Sequence, residues 1–289
     1  MRYGGIILVM TAAILWGITG GIADILMNKG YSPSIISFYR GAVGLVCVLI
    51  WFLLRAKQNF PTSSTVYLWS ILAGLGVAGN FTFYFLSIEA SSIAIAATLM
   101  YTAPVFVLLV SFLLRIERSS WLKWGCIAGV IVGIILLTGA YNTGSSSVTL
   151  LGAGAGLAAG ISYAVFIFGF KNASNYGKPQ TVLTLAFLAF TALLLLFIDR
   201  QAAFSVLTSG DLWWFILLGL IGAGISFVLY VVGVRWTAPS TASMIAMIEP
   251  VTASLFGVVV LGDSLSFVQL IGMVLILATI TFLSVKKSG

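Results

Sequence analysis

The chain reads as long apolar runs separated by short polar breaks. The runs fall at 4–27, 33–54, 66–88, 93–114, 121–140, 149–170, 180–198, 212–234, 240–261 and 266–285. A helix needs roughly 20 apolar residues to cross the hydrocarbon of a bilayer, and the runs are near that length. The pattern predicts an all-α integral membrane protein with ten transmembrane helices. Ten helices and their loops nearly fill the 289 residues, leaving no room for a soluble domain. The first run is too long for the apolar core of a signal peptide, and no good small-residue cleavage site follows it. It is therefore read as a retained helix.

Composition narrows the choice. The chain is 61% hydrophobic and only 7% charged, against about 25% charged in a soluble domain. That excludes a water-soluble globule, whose surface needs far more charge, and a disordered chain, which needs low hydrophobicity. The sequence contains no histidine, which removes catalysis by a metal-bound imidazole. Cys47 and Cys126 both sit inside apolar runs and read as small buried hydrophobes. The net charge of +7 comes from basic residues scattered singly and in pairs. A nucleic-acid footprint would be clustered, so no nucleic-acid partner is expected.

The scattered charge sets an orientation. With the N-terminus in the cytoplasm, the inner segments carry Arg2, Arg55, Lys57, Arg115, Arg118, Lys123, Lys171, Lys178, Arg235, Lys286 and Lys287. The outer segments carry Lys29 and Arg200 alone, and Arg40 lies within the second span. Basic residues favour the cytoplasmic side, so the count predicts N-in and C-in. Trp51, Trp69, Trp121, Trp124, Trp213, Trp214 and Trp236 fall near span ends and read as an interfacial belt.

The chain also resembles itself at an offset of 146. Leu72, Gly76, Phe81, Tyr84, Ala96, Pro104, Val105 and Leu109 meet Leu218, Gly222, Phe227, Tyr230, Ala242, Pro250, Val251 and Leu255. Pro104 is followed by Glu117, and Pro250 by Asp263, at the same spacing. This predicts two five-helix repeats, 1–142 and 149–289, joined by a polar loop. Five is odd, so the second repeat enters the membrane from the other side. Inverted repeats of this kind are a recurring transporter architecture, with the site between the halves near the midplane. Gly125, Gly129 and Gly133, and Gly152, Gly156 and Gly160, each form a smooth stripe on one helix face for close packing.

These features carry a resemblance. Trp16-Gly17 in the first span, Tyr101-Thr102-Ala103-Pro104 in the fourth, Glu249-Pro250-Val251 in the ninth and the Leu261-Gly262-Asp263-Ser264 turn resemble the EamA-type family of the drug/metabolite transporter superfamily. The resemblance spans the whole chain. It implies a ten-helix carrier of the bacterial cytoplasmic membrane, often exporting amino acids or other small metabolites. It also implies a cavity enclosed by spans one, three, four, six, eight and nine.

Several residues are candidates for that cavity. Glu249 lies about nine residues into its span, roughly 13 Å deep at 1.5 Å per residue. A carboxylate there costs about 2.5–3.5 kcal/mol or more unless paired, hydrated or protonated. It is a candidate for cargo binding or proton coupling, or a structural acid held by hydroxyls. Pro250 and Pro104 are placed to kink their helices, and Pro250 frees the carbonyl of Ala246. Arg40 must find a partner or water. Asp24 and Glu89 sit near the same outer end, and an ion pair with one of them is the favoured reading. Holding an anionic group of the cargo is the other. Asp24 and Glu89 have Lys171 and Arg235 as approximate mates in the second repeat, giving a charge inversion between the two mouths that the positive-inside rule also explains. Trp16, Asn80, Tyr84, Thr98, Tyr101, Tyr163, Ser226 and Tyr230 are polar or aromatic residues within spans and candidate cavity walls.

No Walker loop, dinucleotide fingerprint or metal-ligand cluster is present, so no cofactor is expected. No mutually supporting nucleophile and base are visible, so an enzyme is not expected either. The reading is a secondary carrier of small neutral or zwitterionic metabolites, amino acids first, with membrane lipid as its surroundings. Two repeats in one chain make a monomer sufficient. Within transport, the alternative is proton-coupled export of lipophilic cations or drugs, with Glu249 exchanging the proton. A non-transporting membrane scaffold or sensor is the alternative of another class.

Overall fold

The computed structural model describes residues 2–54, 56–60, 63–142 and 149–285. Arg55, Lys286, Lys287 and most of the loop expected to join the repeats lie outside them. Helices form where the apolar runs predicted them, and no strand occurs among the described residues. The long helices are α1 (Arg2–Asn28), α2 (Pro33–Leu53), α3 (Ser64–Ala90), α4 (Ile93–Leu113), α5 (Trp121–Thr138), α6 (Leu150–Tyr176), α7 (Pro179–Leu195), α8 (Leu212–Val234), α9 (Pro239–Leu261) and α10 (Phe267–Val285).

Among the described residues, eight of these helices are long and apolar enough to cross a membrane. The apolar helices Pro179–Leu195 and Phe267–Leu283, in α7 and α10, fall short of that length. Two short helices, Ala56–Asn59 and Arg200–Val206, were not anticipated from the pattern, because each is too short to carry a helical period. The protein is thus an all-helical, multi-pass membrane protein.

Local chemistry sets the helix starts. Ser32, Ser92, Ser120 and Thr149 each sit just before a helix, with the side-chain oxygen accepting from a backbone N–H three residues on. This satisfies one of the donors that every helix start leaves open. Pro33, Pro179 and Pro239 occupy the first turn, where a missing N–H costs nothing. Gly139, at φ 71°, ends α5 in a left-handed turn.

Two helices are broken at matching places. α4 stops at Met100 and restarts at Ala103; α9 stops at Ala246 and restarts at Ile248. Pro104 and Pro250 lie in the first turns after the breaks. Each proline thus stands just after an interruption of its helix, where its missing N–H leaves an earlier carbonyl without a donor. A feature without a simple pattern is the π-helical turn Leu220–Ile225 inside α8, with another at Gly257–Leu261 ending α9.

The helices pack in a regular scheme. α3 runs along α6, and α1 along α8. α1 also lies against α9, and α4 against α6. α2 meets α7 and α8, and α3 meets α7. α4 faces α9, and α5 faces α10. Replacing each helix by the one five later returns the same scheme. Glycines permit the closest contacts. Gly133 on α5 meets Gly272 and Ile276 of α10, and Gly152 and Gly156 meet the end of α3 and Leu99 of α4. Both glycine stripes thus pack helices, although Gly125 faces open space. Cys126 is buried, whereas Cys47 is half-buried, beside Gly224 of α8.

Gly76 gives the sharpest packing test. A Cβ there would come within 2.7 Å of the Phe166 backbone nitrogen and 3.0 Å of the Ser162 carbonyl. Backbone cannot step aside, so Gly76→Val should separate α3 from α6 and destabilise by about 1–3 kcal/mol. Gly125→Ala, which meets nothing within 4 Å, should be neutral. Melting of the two purified variants reads this directly; equal melting temperatures would contradict the packing.

Candidate functional site

A cavity of about 280 Å³ lies between the helices of the two halves of the chain. Its deep wall is built by Trp16 of α1, Arg40 of α2, Tyr101 of α4, Tyr163 of α6 and Glu249 of α9. From there it extends past Asp24 and Met27 to Pro33 and Ile93, which mark one end of the bundle. Trp16, Asn80, Tyr84, Tyr101, Tyr163 and Glu249, named from sequence as cavity candidates, line it together with Asp24 and Arg40, named there as candidate charges at a mouth or gate. Phe81, Phe85, Phe166 and Phe227 line it as well. Sequence reasoning missed these, because a phenylalanine in an apolar run carries no sign of which way it faces.

The helix breaks and glycines place these groups. Gly17 lets α1 approach the break in α9: a Cβ there would meet the Glu249 carbonyl oxygen at 2.5 Å. The Trp16-Gly17 pair thus has two tasks, an indole in the cavity and a bare backbone against α9. Trp16 packs at a tilt against Phe227 and Tyr230, with ring centres 5.0 and 5.1 Å away. Tyr163 packs on Phe166 at 4.4 Å. Together they make a rigid aromatic floor.

Arg40 does not form the expected ion pair. The ion pairs among the described residues are Lys29–Asp211 and Lys123–Glu117. Instead, Arg40 Nε donates to the Gly222 carbonyl at 3.1 Å, and the guanidinium lies 5.3 Å from the centre of the Phe81 ring. The π-helical turn of α8 brings that carbonyl toward α2, and a Cβ at Gly222 would stand 2.9 Å from Arg40 Nε. The acid that acts electrostatically on Arg40 is Glu249, from the other half. Asp24 lies nearer the mouth, where its electrostatic neighbour is Asp263. Glu89 is exposed and does not line the cavity.

Other candidates are elsewhere. Thr98 shares a hydrogen bond with the Thr138 hydroxyl at 2.8 Å, tying α4 to α5. Ser226 and Tyr230 are fully buried behind the cavity wall. Asn80 reaches the cavity but also donates to the Ala159 carbonyl at 3.0 Å, a helix-to-helix tie. Several buried polar atoms lack a partner, the Trp16 indole nitrogen and the hydroxyls of Ser226 and Tyr230 among them, while the Tyr163 hydroxyl is oriented toward the Glu249 carboxylate. Trp16 and Tyr163 face the cavity, where a hydrated or bound group can meet them.

The opposite end of the bundle is fastened. Glu117, in the loop after α4, accepts from the Ser240 backbone N–H at 3.0 Å, the Ser240 hydroxyl at 2.5 Å and Lys123 at 2.7 Å. It therefore caps the start of α9 across the two halves. Lys171 of α6 donates to the carbonyls of Val234, Arg235 and Thr237 at 2.9, 2.8 and 3.0 Å. It closes the end of α8 and is not a free charge at a mouth. Arg235 is exposed and lies over Trp236.

A water-reachable cavity between the halves of an all-helical, multi-pass bundle, closed at one end, is the arrangement of a membrane transport protein. The chain belongs to the EamA-like transporter family, in the drug/metabolite transporter superfamily: the family's model matches residues 3–139 and again 150–285. It is 28% identical over 283 residues to an uncharacterized transporter of Archaeoglobus fulgidus, covering 96% of this chain and 95% of that one. It is 25% identical to the uncharacterized inner membrane transporter YicL of Salmonella typhimurium, over 98% and 96% of the two chains. It is 28% identical to the threonine/homoserine exporter RhtA of the same species, over 84% and 79%. A solved crystal structure at 20% identity matches with a TM-score of 0.79 over 100% of both chains, which supports the fold alone.

The Glu117 clamp gives a pH test. Burial acts to raise the Glu117 carboxyl, but hydrogen bonds from Lys123 and Ser240 outweigh it and hold the group below its ordinary value of 4.5. A carboxyl lowered by folding stabilises the fold above its unfolded value, and this is lost as pH falls through its folded value. Melting temperature should thus be insensitive to this group near neutrality and drop below about pH 4.5. Glu117→Gln should melt lower at neutral pH and show a shallower acid limb. Parallel curves for the two proteins would contradict the clamp.

Proposed function

We propose that the protein carries small neutral or zwitterionic metabolites, amino acids first, across the bacterial cytoplasmic membrane by alternating access between two inverted five-helix repeats. The observation that carries this reading is the cavity itself: it sits between the halves, reaches one end of the bundle and is fastened at the other. The packing scheme that returns when each helix is replaced by the one five later supports the repeats. So do the twin breaks in α4 and α9 and the double match of the family model. The name of the RhtA relative supports an amino-acid cargo moved outward.

In this reading all ten helices span the membrane, with both termini in the cytoplasm. The cavity then faces outward and the Glu117 clamp faces the cytoplasm. The repeats are 1–142 and 149–289, and one chain completes the cavity. The cavity volume favours a small cargo, since pockets for drug-sized ligands run to roughly 300–1,000 Å³. Proton-coupled export of cations is the second reading, favoured by one observation: Glu249 lines the cavity outside any ion pair.

Liposomes carrying the purified protein, with no pH gradient, should take up a labelled amino-acid mixture above empty liposomes. Glu249→Gln should then change apparent affinity by about tenfold while flux persists. No uptake by wild type, together with cation efflux that needs both a proton gradient and Glu249, would replace the first reading with the second.

A further inference from the structure

We propose that the cavity recognises its cargo by two opposite charges on one molecule: Arg40 takes an anionic group while Glu249 takes a cationic one. The ligand class is a small zwitterion with the charge layout of an α-amino acid. This rests on the carrier reading above and adds to it the residues that select the cargo.

Four features lead to this. Arg40 and Glu249 line the same cavity from different halves of the chain, on α2 and α9. Each lies deep between helices yet keeps part of its surface open to the cavity. They do not close on each other. The Nε bond to the Gly222 carbonyl and the Phe81 ring hold the guanidinium on its own side. That bond engages one edge of the guanidinium and leaves the terminal nitrogens, which form a fork suited to a carboxylate. Finally, the Trp16 indole nitrogen beside this gap is buried without a partner, and the Tyr163 hydroxyl next to it is oriented toward the Glu249 carboxylate. An unmet buried donor is uncommon in a folded protein, and this one faces the cavity that both charges line.

The electrostatics make the pair selective. A lone cation attracted to Glu249 is repelled by Arg40, and a lone anion meets the reverse. A zwitterion satisfies both and adds no net charge to a low-dielectric site. Its side chain is left against the aromatic surfaces of Phe81, Phe166 and Phe227, which offer contact but no further hydrogen bonds. Because the two charges belong to different halves, bound cargo also bridges the parts that must move against each other.

The test uses leucine, threonine and phenylalanine, each beside its decarboxylated amine and its deaminated acid. Binding to the full-length protein in nanodiscs is read by tryptophan fluorescence, with Trp16 in the site. At least one amino acid should bind about tenfold or more tighter than both of its analogues. Arg40→Gln should abolish the preference over the amine and keep the preference over the acid; Glu249→Gln should do the opposite. Retention of one preference in each variant, with its melting curve, separates lost recognition from lost fold. An amine or acid that binds as well as its amino acid overturns the proposal while leaving the carrier reading intact. So do variants that leave both preferences unchanged, or no binding by any of the three amino acids. Failure of liposome uptake for every solute offered, by contrast, strikes the carrier reading itself.

Discussion

Inside a bilayer no water waits to satisfy a polar group, so each one must be met within the protein or face a water-filled space. Most of this chain obeys by local means. Thr11, Thr19, Thr252 and Ser254 bond back to carbonyls on their own helices. Asn80 and Ser87 reach across to carbonyls of α6. Some groups stay unmet: the Ser226 and Tyr230 hydroxyls are buried behind the cavity wall, whereas the Trp16 indole faces the cavity beside Arg40 and Glu249. The cavity is where the bundle leaves its satisfaction to something that comes and goes.

The broken helices follow from the same constraint. A proline in the first turn after each break leaves backbone carbonyls open at mid-helix, tolerable only beside a cavity or a close neighbour. α9 restarts at Ile248-Glu249-Pro250, so its carboxylate stands at the new helix start, where the helix dipole favours negative charge. The two ends of the bundle then differ. Glu117 clamps the start of α9, whereas Asp263, at the same spacing from its own proline, makes no side-chain hydrogen bond among the described residues and lies toward Asp24 at the open mouth. One end of the bundle is thus fastened and the other open.

Much of this was legible in the sequence. Apolar runs placed the long helices to within a few residues, eight of them long and apolar enough among the described residues to cross a membrane, because in hydrocarbon hydropathy and helix formation are the same constraint. The buried charges were legible too, since Arg40 and Glu249 are rare residues in such runs. Their surroundings were not. Asp24 and Glu89 match Arg40 in height in the membrane, but its contact to Gly222 arises from a π-helical turn in α8 that no periodicity announces. Thr98, Ser226 and Tyr230 have the right chemistry for a cavity wall but the wrong azimuth. Lys171 looked like a mouth charge and is a cap on three carbonyls, since its long stem lets it reach a neighbouring helix end.

The claim on which everything rests is that the two halves move against each other around the cavity. Distances between paired spin labels measure this most directly, in a background freed of Cys47 and Cys126. One pair, at Asn28 and Ser264, reports the open end; another, at Arg118 and Arg235, reports the fastened end. All four positions are exposed and lie between or at the ends of helices. Saturating amino acid should shorten the first distance and lengthen the second within the same sample. Two distances that both stay fixed, or that change in the same direction, would contradict alternating access in this protein.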